Sequence, residues 1–284
     1  MKVVAGSASV ALASRLASQL DATLVTPDHQ LFPDGEVYVR LDADLSGEHV
    51  VLVQTTYPTP AMVELFLLQD AVQQAGAAHV DVVVPYYAYS RQDQVFKPGE
   101  VVSARVVAEI ISARADRVFT VDPHKAHILD FFSVPAHSVT AIPALAAHMH
   151  DLGVDTVLAP DKGALDRAAA AAKAMGAAFD HMEKTRLSGT EVRMAAKTLD
   201  VAGHTVAIVD DMIASGGTIA TAAAELKRQG AAKVVAACTH GLFISGAVDR
   251  LKKAGCDEVF CADTIENAQA DVSAAAALAA AILL

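Results

Sequence analysis

The sequence contains few cysteines, and none of them lie in a metal-binding or redox spacing. Its three cysteines, Cys238, Cys256 and Cys261, form no CxxC pair, and an odd number does not suit a disulfide framework. We therefore interpret them as core or surface thiols. A protein of this kind is expected in a reducing compartment, the cytoplasm.

Long basic runs and long apolar runs are also missing. No block of Lys and Arg exceeds two consecutive residues and the formal net charge is −11, so we expect no nucleic-acid partner. The chain opens on a strand-like run without signal-peptide character. The apolar stretch 272–284 is too short for a bilayer, so we expect no membrane partner and interpret it as a packed helix.

What the sequence does contain is a regular alternation of short apolar runs and helical patterns. Hydrophobic residues make up 53% of the 284 residues, enough for a substantial core. The alternation predicts an α/β fold in which mainly parallel sheets are flanked by helices. The predicted strands are 2–5, 50–54, 81–85, 117–121, 156–159, 205–209, 233–237 and 258–261, and the predicted helices include 61–75, 103–112, 164–175 and 219–229.

A weak internal repeat divides the chain. An apolar run beginning with a histidine precedes a turn, a helix and a Gly-Ala-Ala segment twice, once from His49 and once from His204. We interpret the repeat as a duplication that gives two similar domains, 1–141 and 142–284, with the last helix free to pack back on the first. Chance similarity between two Ala/Val-rich segments is the alternative.

The most informative stretch lies in the second copy. An apolar run, 206–209, predicts a buried strand, and the residues from 219 predict a helix. Small residues before a helix N-terminus leave its N–H groups open to phosphate, and nearby carboxylates suit sugar hydroxyls or a metal. The pattern predicts a pocket for a phosphorylated sugar, with a plain glycine-rich turn as the alternative. The residues of this predicted pocket are Asp210, Asp211, Ser215, Gly216, Gly217 and Thr218.

The first copy differs at the corresponding place. It has Thr55 and Thr56 where the second copy has two acids, and it lacks the Ser-Gly-Gly-Thr loop. Only the second domain is therefore expected to hold the sugar phosphate.

Two segments of the first domain carry side chains suited to a nucleotide. The stretch 32–36 predicts a turn that displays an aromatic ring and two carboxylates, although a surface turn is the simpler interpretation of it alone. Arg91 and Gln92 follow a predicted strand, at the carboxyl end where open sheets bind ligands. A guanidinium suits phosphate oxygens and an amide suits a base edge, with a solvated loop as the alternative.

Candidate metal ligands and cations occur at four further positions. His124 and Asp161 each follow a predicted strand, one in each domain, so together they would hold Mg²⁺ between the domains. A lone histidine is more often structural. Lys184 and Arg186 alternate, so in an extended chain they face one side and suit the charge of phosphoryl or pyrophosphoryl transfer. An exposed basic hairpin is the alternative.

Taken in order, these segments resemble the ribose-phosphate pyrophosphokinase (PRPP synthetase) family over essentially the whole chain, and its archaeal-type members in particular. The matching stretches are 32–36, 89–93 with 98–100, 121–124 with 130–132, 159–163, 184–186 and 209–218. The resemblance implies two phosphoribosyltransferase-like domains. It also implies a homo-oligomeric, Mg²⁺-dependent enzyme that transfers the pyrophosphoryl group of ATP to the C1 hydroxyl of ribose 5-phosphate.

The resemblance also implies a role for each candidate residue. Phe32, Asp34, Gly35 and Glu36 would bind ATP, often from a neighbouring subunit, together with Arg91 and Gln92. His124 and Asp161 would hold Mg²⁺, and Lys184 would be catalytic with Arg186 beside it. Ribose 5-phosphate would contact Arg186, Asp210, Asp211, Ala214, Ser215, Gly216, Gly217 and Thr218.

One position departs from the family pattern. Ala214 and Ser215 stand where a Ser-Thr pair is common, so one hydroxyl contact is lost and binding is expected to weaken rather than vanish. Two alternatives stay open at this point: a phosphoribosyltransferase that consumes PRPP, and a catalytically silent regulatory partner of a true synthetase.

Overall fold

The structure is a computed structural model that describes residues 1–186, 192–196 and 200–284, and the side chains of all of these except those within 183–199. The chain divides into two compact units. Unit 1 comprises Met1–Thr140, Asp263–Glu266 and Ser273–Leu284, and unit 2 comprises Ala141–Ala262 and Asn267–Val272.

Unit 1 begins as an alternation of strands and helices. In chain order it contains β1 (Lys2–Ala5), α1 (Val10–Gln19), β2 (Thr23–Val25), β3 (Asp28–Leu31), β4 (Val37–Arg40), β5 (His49–Val53), α2 (Thr59–Gln74), β6 (His79–Val84), α3 (Ser103–Ser112), β7 (Arg117–Val121) and β8 (Ala136–Val139). A short 3-10 helix at Ala126–Phe131 lies between β7 and β8.

The main sheet of unit 1 is parallel. Its strand order is β2-β1-β5-β6-β7-β8. The central strands are runs of valine and other apolar residues, buried from both faces, as expected of a parallel sheet covered by helices. A core cluster that includes Leu52, Leu65, Val82 and Ile111 joins the sheet to α2 and α3.

Unit 2 repeats the alternation. It contains α4 (Ile142–Asp151), β9 (Thr156–Ala159), α5 (Leu165–Met175), β10 (Ala178–Arg186), β11 (Val192–Ala196), β12 (Thr205–Ile213), α6 (Gly217–Arg228), β13 (Lys233–Gly241), α7 (Ala247–Lys253), β14 (Glu258–Ala262) and β15 (Ala270–Val272). The helix α8 (Ala275–Ile282) follows and belongs to unit 1, where it packs against α1.

The sheet of unit 2 has the order β11-β10-β9-β12-β13-β14-β15, and every described pair is parallel except β10–β11. Alanines on α5 and α6 allow these helices to pack closely on it. Helix α5 ends at Gly176, whose φ of 69° gives the left-handed C-terminal cap that glycine adopts without strain.

The two sheets share one strand order. The series β2-β1-β5-β6-β7-β8 corresponds position by position to β10-β9-β12-β13-β14-β15. The predicted α/β class with two similar parallel-sheet domains is confirmed. The predicted apolar strands are present, and β12 and β13 extend beyond their predicted ends.

The strands that the sequence did not reveal are mostly short or polar. The strands β3 and β4 form a separate antiparallel hairpin, and every residue of β3 is exposed. Such a strand lacks the buried face that gives alternation its signal. Within the described ranges, no helix has the length and apolar character needed to cross a membrane.

Candidate active site at the carboxyl ends of the strands

Three carboxylates meet at one edge of the unit 2 sheet. Strands β9 and β12 are parallel neighbours, with Leu158 paired to Ile208. Asp161 lies two residues after the end of β9, and Asp210 and Asp211 lie in the last part of β12. The carboxyl edge of a parallel sheet is where such folds bind ligands.

A glycine loop follows these acids and leads into α6. Gly216 has a φ of 73° and is the N-terminal cap residue of this helix, so the turn needs a residue without a Cβ. The loop is tied down from outside: the N–H of Ile244 donates to the carbonyl of Ala214 at 3.1 Å, and Arg250 donates to the carbonyl of Ser215. Gly217 and Thr218 are exposed in the first turn of α6.

The electrostatics of this edge are those of a cation or hydroxyl site. Burial, followed by the charge and hydrogen bond of Asp211 and the charge of Asp161, raises the pKa of Asp210 to about 7. Asp161 itself is exposed, and its Oδ1 accepts the N–H of Gly163 at 2.8 Å. Concentrated negative charge at a sheet edge favours a divalent cation or sugar hydroxyl donors.

Asp211 is the buried member of the pair, with 5% of its surface exposed. Its Oδ1 accepts the N–H of Met212 at 2.9 Å, and its Oδ2 lies 3.6 Å from Nη2 of Arg167 on α5. The sequence reasoning missed Arg167. Its only signal was that it follows Asp161 closely on the segment after β9.

In unit 1 the predicted turn is the tip of the β3–β4 hairpin. The N–H of Phe32 donates to the carbonyl of Glu36 at 2.8 Å, and Oδ1 of Asp34 accepts the N–H of Glu36 at 3.1 Å. Gly35 has a φ of 92°, which the tip requires. Phe32, Asp34 and Glu36 are all exposed, and the Phe32 ring packs edge-on against Tyr38 with centroids 6.3 Å apart.

The other unit 1 candidates lie in the segments that follow β6 and β7. Arg91 is exposed, while the amide of Gln92 donates to the carbonyl of Gln94 at 3.1 Å and to Oε2 of Glu100 at 3.3 Å. His124 is half-buried and follows β7. These positions fit the expectation of ligand-binding segments at the carboxyl edge, and their roles remain predictions.

For the two candidate cations on β10, the structure describes the backbone but not the side chains. The backbone of Lys184 and Arg186 belongs to β10, but their side chains lie outside the described residues. The loop predicted to carry Ser188 and Gly189 also lies outside the described residues. The metal candidates His124 and Asp161 belong to unit 1 and unit 2 respectively.

Comparison with known proteins decides the family. Residues 1–114 match the N-terminal domain of ribose phosphate pyrophosphokinase, and residues 137–276 match the phosphoribosyl transferase domain. A ribose-phosphate pyrophosphokinase of Methanopyrus kandleri is 43% identical over 99% of this chain and 98% of its own length. The chain belongs to the ribose-phosphate pyrophosphokinase family.

Further members of this family are similar to this chain over nearly its full length. A ribose-phosphate pyrophosphokinase of Methanosarcina mazei is 41% identical over 99% of this chain and 95% of its own. The crystal structure of a phosphoribosylpyrophosphate synthetase from Mycobacterium smegmatis superposes with a TM-score of 0.85 at 31% identity, covering 99% of this chain and 97% of the other. The resemblance found in the sequence motifs is therefore confirmed as kinship across both units.

Proposed function

We propose that this chain is a ribose-phosphate diphosphokinase that converts ATP and ribose 5-phosphate into AMP and PRPP, the 1-pyrophosphate of ribose 5-phosphate, for nucleotide biosynthesis. The observation that supports this most directly is the edge of unit 2, where Asp210 and Asp211 precede a glycine loop at the start of α6. That edge offers acceptors for sugar hydroxyls beside the backbone N–H donors of a helix N-terminus, which suit a phosphate. Membership of the ribose-phosphate pyrophosphokinase family over the full length supports ATP as the second substrate and pyrophosphoryl transfer as the reaction.

In the proposed reaction the C1 hydroxyl of ribose 5-phosphate attacks the β-phosphorus of ATP. The bond from that phosphorus to the α–β bridging oxygen breaks, the hydroxyl proton is released to solvent, and AMP leaves with the bridging oxygen. The enzyme needs no nucleophile of its own, so its contribution is alignment and charge stabilisation. We assign the latter to Lys184 and Arg186.

The ribose 5-phosphate side belongs to unit 2 in this proposal. Asp210 and Asp211 accept hydrogen bonds from ribose hydroxyls, and the N–H groups of the loop 214–218 and the first turn of α6 hold the 5-phosphate. Ala214 lacks the hydroxyl that a serine would offer at this position, so one contact to the phosphate is lost. The cradle itself remains, because it consists mainly of backbone N–H groups.

Mg²⁺ fits the donors present. Asp161 offers an exposed carboxylate in an edge where neighbouring negative charge already raises the pKa of Asp210. His124 and Asp161 would hold the ion, with substrate phosphates completing its ligands. When bound, Mg²⁺ would neutralise phosphate charge and orient the β-phosphorus for attack.

The ATP side belongs to unit 1, and we propose that the active unit is a homo-oligomer. Phe32, Asp34, Gly35 and Glu36 lie on an exposed hairpin tip, where residue Phe32 is 37% exposed in the single chain. In the oligomer, the adenine of ATP bound to a neighbouring subunit would cover the Phe32 ring. Arg91 and Gln92 would approach the phosphates and the base of ATP within their own chain.

A cytoplasmic location remains part of the proposal. All three cysteines are buried, and burial raises the pKa values of Cys238 and Cys256. Buried neutral thiols of this kind suit a reducing compartment.

The deciding experiment is a turnover assay. The pure protein is incubated with Mg-ATP and ribose 5-phosphate, and AMP and PRPP are followed by anion-exchange chromatography and ³¹P NMR. Stoichiometric AMP and PRPP, lost on chelation of the metal, are the expected result. ADP as product would contradict pyrophosphoryl transfer. Consumption of added PRPP with a nucleobase would support the phosphoribosyltransferase alternative, and activity only as a stimulator of a second synthetase would support the silent-partner alternative.

A further inference from the structure

Arg167 forms an ion pair inside the candidate sugar-phosphate site. Its Nη2 lies 3.6 Å from Oδ2 of Asp211, with 19% of the Arg167 side chain and 7% of the Asp211 side chain exposed. A carboxylate so far removed from water needs a cation or several donors to stay ionised. The N–H of Met212 supplies one donor and Arg167 supplies the cation.

The position of Arg167 is set by a continuous stretch of chain. Asp161 caps a 3-10 turn, Lys162–Ala164, which runs directly into α5. Arg167 lies in the first turn of that helix. The buried residues Ala168 and Ala171 hold the helix on the sheet. The guanidinium is thus delivered by a packed helix rather than by a mobile loop, and such packing limits how far it can move.

Asp211 is coupled in turn to its neighbour. Its charge and hydrogen bond act on the Asp210 carboxyl, and its own N–H donates to Oδ1 of Asp210 at 2.8 Å. A buried carboxylate that loses its cation turns toward other donors. Such a turn at Asp211 would displace the acceptors that we assign to the ribose.

We propose that Arg167 is a positioning residue of the sugar-phosphate site: it holds the Asp211 carboxylate in place and thereby sets the affinity for ribose 5-phosphate. The inference rests on the proposed function, and it assigns Arg167 to the sugar rather than to ATP. Arg167 acts through Asp211, so its effect should exist only when that carboxylate is present.

The test is a double-mutant cycle with Arg167→Met, Asp211→Asn and the combined variant. Methionine keeps most of the arginine stem and removes the charge. Arg167→Met should raise KM for ribose 5-phosphate by about 10-fold and change KM for ATP by less than about 2-fold. Arg167→Lys should recover part of the loss. In the Asp211→Asn background, Arg167→Met should add less than about 2-fold.

The matched control is Arg228→Met, which removes an arginine from the exposed end of α6, where it pairs with Glu225. It should leave both KM values unchanged. Equal rises in both KM values for Arg167→Met would overturn the inference, and so would full additivity with Asp211→Asn, which would place Arg167 directly on the substrate. If Arg167→Met does not fold, the same cycle is run with Arg167→Lys.

The proposed function can fail separately. If the wild-type protein forms no PRPP, the proposed function is wrong. The double-mutant cycle with Arg167 then uses the affinity of each variant for ribose 5-phosphate, measured by isothermal titration calorimetry. A 10-fold affinity loss confined to proteins that retain Asp211 would still support the positioning role. Unchanged affinity would refute it.

Discussion

Arg117 donates two hydrogen bonds to the fully buried carboxylate of Asp81, from Nε to Oδ1 at 2.8 Å and from Nη2 to Oδ2 at 2.7 Å. Nε2 of His49 lies 2.7 Å from the same Oδ2, and Nε2 of His79 lies 3.0 Å from Oδ1. These side chains come from the starts of β5, β6 and β7. The cluster thus joins three strands at their amino ends, at the edge of the unit 1 sheet opposite the segments that carry Arg91 and His124. We expect it to matter for stability rather than turnover.

Removing the cation from this cluster should be costly. Arg117→Met leaves the Asp81 charge buried without its main partner, and we expect the free energy of unfolding in urea to fall by about 3–5 kcal/mol. The control is Arg114→Met, since Arg114 pairs with Asp70 at 3.4 Å with both side chains about half exposed. That exposed pair should contribute less than about 1 kcal/mol. Similar losses in the two variants would contradict the structural role of the cluster.

The same cluster predicts a pH dependence. Burial alone would raise the pKa of Asp81, but hydrogen bonds from Arg117 and His49 outweigh it and hold the pKa below its usual range. A carboxyl whose pKa is lowered by folding stabilises the protein at pH values above its pKa in the unfolded chain, about 3.9 for Asp. This stabilisation is lost as pH falls through the pKa in the folded protein. The unfolded-state pKa is the same in wild type and Arg117→Met, so the difference between their free energies of unfolding depends only on the two folded states. That difference should be largest where Asp81 is ionised in both proteins, and it should narrow toward acid pH as Asp81 of the variant takes up a proton before Asp81 of the wild type does. A difference independent of pH down to acid unfolding would exclude Asp81 as its source.

Much of this fold was open to sequence reasoning because its strands are continuous apolar runs. The run before Asp210 identified β12, and the acids and glycines after it predicted the edge at which ligands bind. The exposed strand β3 gave no such signal, since none of its residues is buried. The ion pair of Arg167 with Asp211 was also out of reach, because it depends on how α5 packs on the sheet.

The adjacent residues Gly216 and Gly217 allow the effect of a strained backbone to be distinguished from the effect of blocking the phosphate. Gly216 has a φ of 73°, and a Cβ added there would lie 3.3 Å from Cγ of Leu251. Gly216→Ala should therefore destabilise the protein by about 1–2 kcal/mol. Within the described part of the chain, a Cβ added at Gly217 would meet no atom within 4 Å apart from its chain neighbours and the backbone of its own helix.

Gly217→Ala should accordingly keep the melting temperature of the wild type while raising KM for ribose 5-phosphate, because its methyl group would project at the helix N-terminus that we assign to the phosphate. Differential scanning calorimetry and steady-state kinetics on both variants give the comparison. An unchanged KM in Gly217→Ala would move the phosphate away from this helix start.

Lys184 is assigned to the chemical step. If its charge stabilises the transition state, Lys184→Ala should lower kcat by a factor of about 10² or more, with smaller changes in KM. The control is Lys173→Ala, which removes an exposed lysine near the end of α5. Its kcat should stay normal. A near-normal kcat in Lys184→Ala would remove this residue from the chemistry.

The proposed homo-oligomer can be tested through the hairpin tip. The hairpin tip exposes Phe32, together with Leu31 and Tyr38, in the single chain. If a neighbouring subunit's ATP covers this aromatic surface, a lone subunit loses a stacking contribution of about 1–3 kcal/mol. Two inactive proteins should then rescue each other, one carrying Asp34→Ala with Glu36→Ala and the other carrying Lys184→Ala.

The rescue follows from how mixed sites form. After dissociation and reassembly of the two variants, some ATP sites would combine an intact hairpin from one subunit with an intact Lys184 from its neighbour, and those sites should turn over. Each variant taken alone through the same dissociation and reassembly serves as the control and should stay inactive. Verified mixed oligomers without recovered activity would refute the shared site. Full wild-type activity in a species that light scattering shows to be monomeric would refute it as well, because a monomer cannot borrow a hairpin.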